Sequence, residues 1–169
     1  MDAFDAILTR RSIRKYKKKT ISDKILHNLL YAACSAPSAG NQQPWHFIIL
    51  DDRKILNIIY TFHPSGKMLK EADKALLVCG DLDLEKFKGY WMIDCAAATE
   101  NILLAAHSLG LGACWLGLYP REGRVAGMRK LLRLPFHIVP FALVSLGYPA
   151  EIKPKEERFN TSRIHQNKW

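Results

Sequence analysis

The sequence predicts one domain in which helices and strands alternate, and three observations predict it. The chain has 169 residues, 49% of them apolar, which is enough for a substantial core and too apolar for disorder. Helix-period stripes and apolar runs of strand length follow one another along it. No internal repeat or low-complexity run divides 1–169, so a single domain is expected.

Phe4, Ile7 and Leu8 fall at helical spacing after Asp2, an N-cap residue, and predict an opening helix that ends near Arg10. From Arg11 to Thr20 the period is lost. Ser22 caps a second helix with the stripe Ile25, Leu26, Leu29, Leu30 and Ala33; it stops before Pro37, ahead of which α backbone is disfavoured. Trp45 to Leu50 reads as a buried strand, Asp51-Asp52 as a turn, and Arg53 to Tyr60 as a short helix with Ile55, Leu56 and Ile59 inward. Thr61 to Lys70 reads as a flexible loop with its Pro and Gly, and Lys74 to Asp81 as an apolar strand.

Gly89 to Leu109 is the long helix, closed by Gly110 and apolar on almost every face. Such a helix is buried all round, and one sheet covers only one side of it. A second subunit is therefore expected over the other side, with Asp94, Asn101 and Ser108, spaced by seven, as a polar seam. The alternative is a monomeric core helix whose polar groups are satisfied within the chain. Leu111 to Leu118 is a glycine-rich strand, Pro120 starts a helix carrying Val125, Met128, Leu131 and Leu132, and Phe141 to Gly147 is the last strand. The tail from Tyr148 is polar and basic, and its final Trp169 predicts that it docks on something.

Lys and Arg total 25 against 16 acids, a net charge of +9 that favours anionic partners. The densest basic run, Arg10 to Lys19, is interleaved with Ser12, Ile13 and Tyr16, unlike a disordered nucleic-acid tail, and no nucleic-acid partner is expected. Cys34, Cys79, Cys95 and Cys114 lack CxxC spacing and read as reduced, mostly buried thiols of a cytoplasmic protein. Acids stand where a secretory signal would be basic, and the most apolar stretch is broken by polar residues, so neither export nor a membrane span is expected.

Ala36 to Phe47, APSAGNQQPWHF, holds more amide and hydroxyl than a turn requires. Gly40 permits close backbone approach, and Ser38, Asn41, Gln42 and Gln43 offer donors and acceptors for a planar polar ligand; an ordinary helix-to-strand loop is the alternative. Arg10, Arg11, Ser12 and Arg14 supply the forked donors that a phosphate needs, although a solvated charge cluster accounts for the same run. Arg158 and Arg163 offer a second clamp or plain surface charge. The histidines and cysteines have no metal-ligand spacing, and neither GxGxxG nor GxxxxGK[ST] is present, so no metal, Rossmann or P-loop site is expected. His63 and His165 are expected to be exposed, with a substrate contact open to His63. Tyr90 and Trp91 suit either a pocket roof or the core.

Four blocks in order, RRSIRKY, APSAGNQQPWHF, DCAAATENILLAAHSLGLGACWLGLYP and RFNTSRIHQNKW, together resemble the nitroreductase family of FMN-dependent oxidoreductases in its compact form. The resemblance implies an α+β, three-layer α/β/α sandwich with a mostly antiparallel sheet. It implies a homodimer with FMN at the subunit interface and a C-terminal tail wrapping the partner. Arg10, Arg11, Ser12 and Arg14 would hold the phosphate, ribityl chain and pyrimidine edge, with Arg158 also near the phosphate. Pro37, Ser38, Ala39 and Asn41 would come from the partner, Trp115, Leu116 and Gly117 would line the isoalloxazine, and Lys67 would lie beside it. The implied activity is ping-pong hydride transfer from NAD(P)H to a small electron-poor acceptor such as a nitroaromatic or quinone. No catalytic side chain is required, because the cofactor does the chemistry. A flavin carrier or sensor without nicotinamide-driven turnover is the alternative.

Overall fold

In the computed structural model, which describes residues 1–169, the elements are α1 (Ala3–Thr9), β1 (Tyr16–Lys17), α2 (Asp23–Cys34), β2 (Trp45–Leu50), α3 (Arg53–Phe62), β3 (Lys74–Asp81), α4 (Trp91–Ser108), β4 (Gly112–Gly117), α5 (Glu122–Leu132) and β5 (Ile138–Pro149). β5 is the axis of the sheet: β3, β4 and β1 all pair with it, β2 pairs with β3, and every named pairing is antiparallel. The α+β expectation holds.

Strand alternation sorts the side chains into two cores. Leu76, Val78, Val144 and Leu146 face one side, where they pack with Leu29, Ala33, Cys95, Ala98 and Ile102 of α2 and α4. Leu77, Cys79, Leu143, Cys114 and Leu116 face the other, against Leu56 and Ile59 of α3 and Met128 of α5. Helices thus cover both faces, which is why β3 reads as a continuous apolar run.

Most helix ends follow their caps. The Asp2 and Asp52 carboxylates accept the N–H groups of Asp5 and Lys54 at 2.8 and 2.7 Å, and Ser22 Oγ accepts from Ile25 at 3.4 Å. Gly110, at φ +77°, ends α4 as expected. α5 starts two residues after Pro120, at Glu122.

Three expectations are corrected. The 61–70 segment is no flexible loop: Pro64–Lys70 forms 3-10 turns that bury Gly66, Met68 and Leu69. The last strand runs longer, over Ile138–Pro149: its pairing with β3 continues past a register shift at Phe141, and Pro140, which has no N–H to give, sits beside that shift. Of the spaced polar residues of α4, Asp94 belongs to no seam, since it is buried and holds the 39–42 segment, whereas Asn101, which donates to Ala32 O of α2 at 2.9 Å, and Ser108 border an open groove. Within the single chain Trp169 stacks on His165, ring centroids 4.5 Å apart, and is otherwise exposed.

Candidate functional site

The segment after α1 lies along β4. Ser12 bridges to Ala113 in parallel, and the Ile13 N–H donates to Ala113 O at 3.0 Å, so the basic run is fixed to the sheet. Its guanidinium groups have different tasks. Arg10 Nε pairs with Glu100 of α4 at 3.4 Å. Arg11 donates to the carbonyls of Leu8, Arg10, Pro154 and Glu156, which ties the start of the tail to α1. Arg10, Arg11 and Arg158 share a cleft of about 420 Å³ with Lys155 and Phe159, and there Arg158 is held by Glu156 at 2.6 Å.

Arg14 points elsewhere. Its N–H donates to Glu151 Oε1 at 2.5 Å, which holds that carboxyl below its ordinary value. Its side chain lines a second cleft, of about 390 Å³, with Lys15, Ser65, Lys67, Glu71 and Lys153. The 3-10 turns thus bring Lys67 to Arg14 across about fifty residues of sequence.

His63 is 1% exposed, against the expectation that it is a surface residue. Nε2 lies 3.1 Å from Gly117 O, a carbonyl that can only accept, so Nε2 carries a proton and donates it there. Burial first, then the Arg124 charge, lowers the His63 pKa. Arg124 Nη1 donates to the same carbonyl at 2.8 Å. Both lone pairs of Gly117 O are therefore filled and the end of β4 is clamped, while His63 Nδ1 is buried without a partner. A Cβ built on Gly117 meets nothing within 4 Å, so open space lies beside the clamped strand end. Trp115 is half-buried, edge-on to Phe141 at 5.8 Å, and Leu116 is in the core.

The Ala36–Gln43 segment is built on the start of α4. Buried Asp94 accepts the Ala39 N–H at 2.9 Å and Gln42 Nε2 at 2.6 Å, while Gln42 Oε1 accepts from Lys86 and Phe87. Ser38 Oγ and Asn41 Oδ1 accept from Gln43, and Pro37 is exposed. Gly40, at φ +51°, approaches Phe87 so closely that a Cβ would lie 2.2 Å from the ring; its freedom serves packing. His107, bonded to Thr9 beside the basic run, is thirteen residues beyond Asp94, about 20 Å along the helix.

The expected residues therefore fall into two sets. Arg10, Arg11, Ser12, Arg14, Lys67, Trp115, Leu116, Gly117 and Arg158 lie along β4 and around it. Pro37, Ser38, Ala39 and Asn41 stand at the start of α4, with no hydrogen bond to the first set. Three features were missed in the sequence: the His63–Gly117–Arg124 clamp, the Glu151 cap on Arg14, and Asp94 as the anchor of the 39–42 segment. Each joins residues 52 or more apart or, for Arg124, an arginine that looks like any surface charge. Trp91 is 6% exposed and belongs to the core, against Tyr119 and Phe141, whereas Tyr90 is half exposed. Burial pushes up the Cys79, Cys95 and Cys114 thiols, which makes them packing groups and not nucleophiles.

The model of the Nitroreductase family matches residues 7–79 and 64–148. The chain belongs to the nitroreductase family. A relative from Methanothermobacter thermautotrophicus, provisionally named NADH dehydrogenase/NAD(P)H nitroreductase, is 49% identical over 169 residues, covering all of this chain and 88% of its own. The crystal structure of a Parabacteroides distasonis protein with the same provisional name superposes with a TM-score of 0.95 at 41% identity, over 99% of this chain and 98% of that one. A nitroreductase-like protein from Desulfovibrio desulfuricans, solved in complex with FMN, gives a TM-score of 0.86 at 28% identity over 100% of this chain and 98% of its own. The family accounts for the three-layer fold described above.

Proposed function

We propose that the chain is an FMN-dependent oxidoreductase that moves hydride from NAD(P)H to a small electron-poor acceptor, a nitroaromatic or quinone, in ping-pong order. It works as a cytoplasmic homodimer with each FMN between the subunits. The observation that carries this reading is the set of donors gathered around β4, with Arg10, Arg11 and Arg158 at one cleft and Arg14 and Lys67 at another. Pro37, Ser38, Ala39 and Asn41 make no hydrogen bond to that set within the chain, and a second copy would supply them.

The donor set suits FMN. Arg10 and Arg158 share one cleft and would hold the phosphate, with Ser12 beside them. Arg11, spent on four carbonyls, would act by holding the tail near them. Arg14 and Lys67, in the second cleft, put two cations where the pyrimidine edge would lie; positive charges there would stabilise the negative charge that reduction adds. Trp115, Leu116 and Gly117 would form the wall along the isoalloxazine, with the open space at Gly117 left for the ring system. Pro37, Ser38, Ala39 and Asn41 of a second copy would close the site. FMN held by these residues would supply the two-electron hydride chemistry.

No helix is long and apolar enough to cross a membrane. The relative solved with FMN supports the choice of cofactor. The test is an anaerobic titration of the FMN-loaded protein: flavin absorbance should bleach with NADH or NADPH and return on addition of a quinone or nitroaromatic. Flavin that binds and never bleaches makes the protein a carrier or sensor, and failure to take up FMN overturns the reading. Arg10→Ala should weaken FMN binding by about 1.5–3 kcal/mol, the range for a hydrogen bond to a charged group.

A further inference from the structure

We propose that Asp81, Asp83 and His137 bind one divalent transition-metal ion of the Zn²⁺ class. One oxygen of each carboxylate and one imidazole nitrogen lie within 4.8 Å of one another. A cation with bonds of about 2.0–2.2 Å holds its donors about 3–4 Å apart. Movement of roughly an ångström by the two less buried side chains, Asp83 and His137, closes that difference.

The backbone puts these residues together. Asp81 ends β3 and pairs in register with Ile138, the first residue of β5, and the Leu82 N–H donates to His137 O at 3.0 Å. His137 is thus fixed beside Asp81 by the ladder itself. Asp83 is folded back by its own N–H, which donates to Asp81 Oδ1 at 2.9 Å. His137 Nδ1 already lies 3.7 Å from Asp83 Oδ2.

Asp81 is oriented as a ligand would be. It is 7% exposed, and His46 Nε2 of β2 holds its Oδ2 at 3.0 Å, the outer hydrogen bonding that ligating carboxylates carry. Two neighbouring carboxylates call for positive charge between them, and on a chain of net charge +9 neither is paired with a Lys or Arg. Two oxygens and one imidazole nitrogen, with room left for water, suit Zn²⁺ or Co²⁺ better than a thiolate-seeking metal. The ion would tie the 82–90 segment to the start of β5. That segment donates the Lys86 and Phe87 N–H groups to Gln42, so the site would also stiffen the support of the 37–43 segment.

The site stands apart from FMN binding and is tested separately. Tag-free protein, stripped with a chelator, is titrated with Zn²⁺ by calorimetry and with Co²⁺ by visible absorbance. One Zn²⁺ per chain is expected, with affinity lowered about tenfold or more in His137→Ala and Asp83→Asn, a smaller loss in His46→Ala, and none in Cys34→Ser. The Co²⁺ ligand-field band should weaken in the same order. Asp83 and His137 lie outside both cores, so melting curves recorded in chelator should match the parent and separate lost binding from lost folding. No Zn²⁺ uptake by the parent protein, uptake that survives His137→Ala, or uptake abolished by Cys34→Ser would overturn the site.

Discussion

Asp94 is 3% exposed, and its two oxygens are both used, one by the Ala39 N–H and the other by Gln42 Nε2. Asp94→Asn keeps the shape but turns one acceptor into a donor facing a donor, and it removes the charge that strengthens both bonds. We expect a loss of about 1.5–3 kcal/mol in folding stability, read as a lower urea midpoint, with exposure of the 37–43 segment to proteolysis. Its position was legible in the sequence, because spacing by seven puts Asp94 and Asn101 on one helix face. Its partner was not: helical period names a face, not the neighbour, and the amides it holds come from residues 52 and 55 positions away. His63 teaches the same lesson. Among Pro64, Ser65 and Gly66 its surroundings read as loop, and only the Gly117 carbonyl, 54 residues on, takes it into the interior.

At the scale of elements, the junction of α3 with the 3-10 turns depends on that neutral ring. Folding lowers the His63 pKa through burial and the Arg124 charge, so below about pH 6.5 the unfolded chain binds a proton that the native chain refuses. Stability should be complete above that pH and should fall as the solution is acidified toward the lowered native value. The slope for one such group is at most about 1.4 kcal/mol per pH unit. His107, lowered by burial and by Arg10 and Arg11, acts in the same direction. Urea midpoints for the parent and His63→Asn between pH 8 and pH 5.5 check this: the parent curve should drop more steeply, and parallel curves would remove His63 as the source. Elements supported by both period and core, such as α4 and β3, were legible to within two residues. β1 was not, since two residues carry no period and pair only because the end of β5 extends past its other neighbours. The turns over Pro64–Lys70 were misread because Pro and Gly signal irregular backbone, whereas Met68 and Leu69 bury into the α3 core.

For the whole molecule, what the single chain leaves uncovered carries the proposed assembly. Ile93 on α4 is 62% exposed, Ile7 on α1 56% and Tyr31 on α2 73%. Between these helices runs an open groove of about 430 Å³ lined by Ala3, Ile7, Ala32, Leu104 and Ala105. The sequence made the all-round apolarity of α4 visible, and with it the need for a cover; of its spaced polar residues Asp94 turns inward to the 39–42 segment, while Asn101 and Ser108 border the groove. In the proposed dimer this apolar face is the association surface. Ile93→Glu sets a charge on it and, by the proposed dimer, should turn a dimer into a monomer in sedimentation or light scattering. Phe136, 91% exposed but held beside Arg129 at the far end of α5, supplies the control: Phe136→Glu should leave the dimer intact. Because each site would take its 37–41 residues from the other copy, the Ile93→Glu monomer should also lose FMN on gel filtration at a concentration where the Phe136→Glu dimer keeps it. Dimer and FMN lost together tie cofactor binding to assembly through one interface. A monomer that retains FMN as tightly as the parent would place the whole site within one chain and return the 37–43 segment to a structural role.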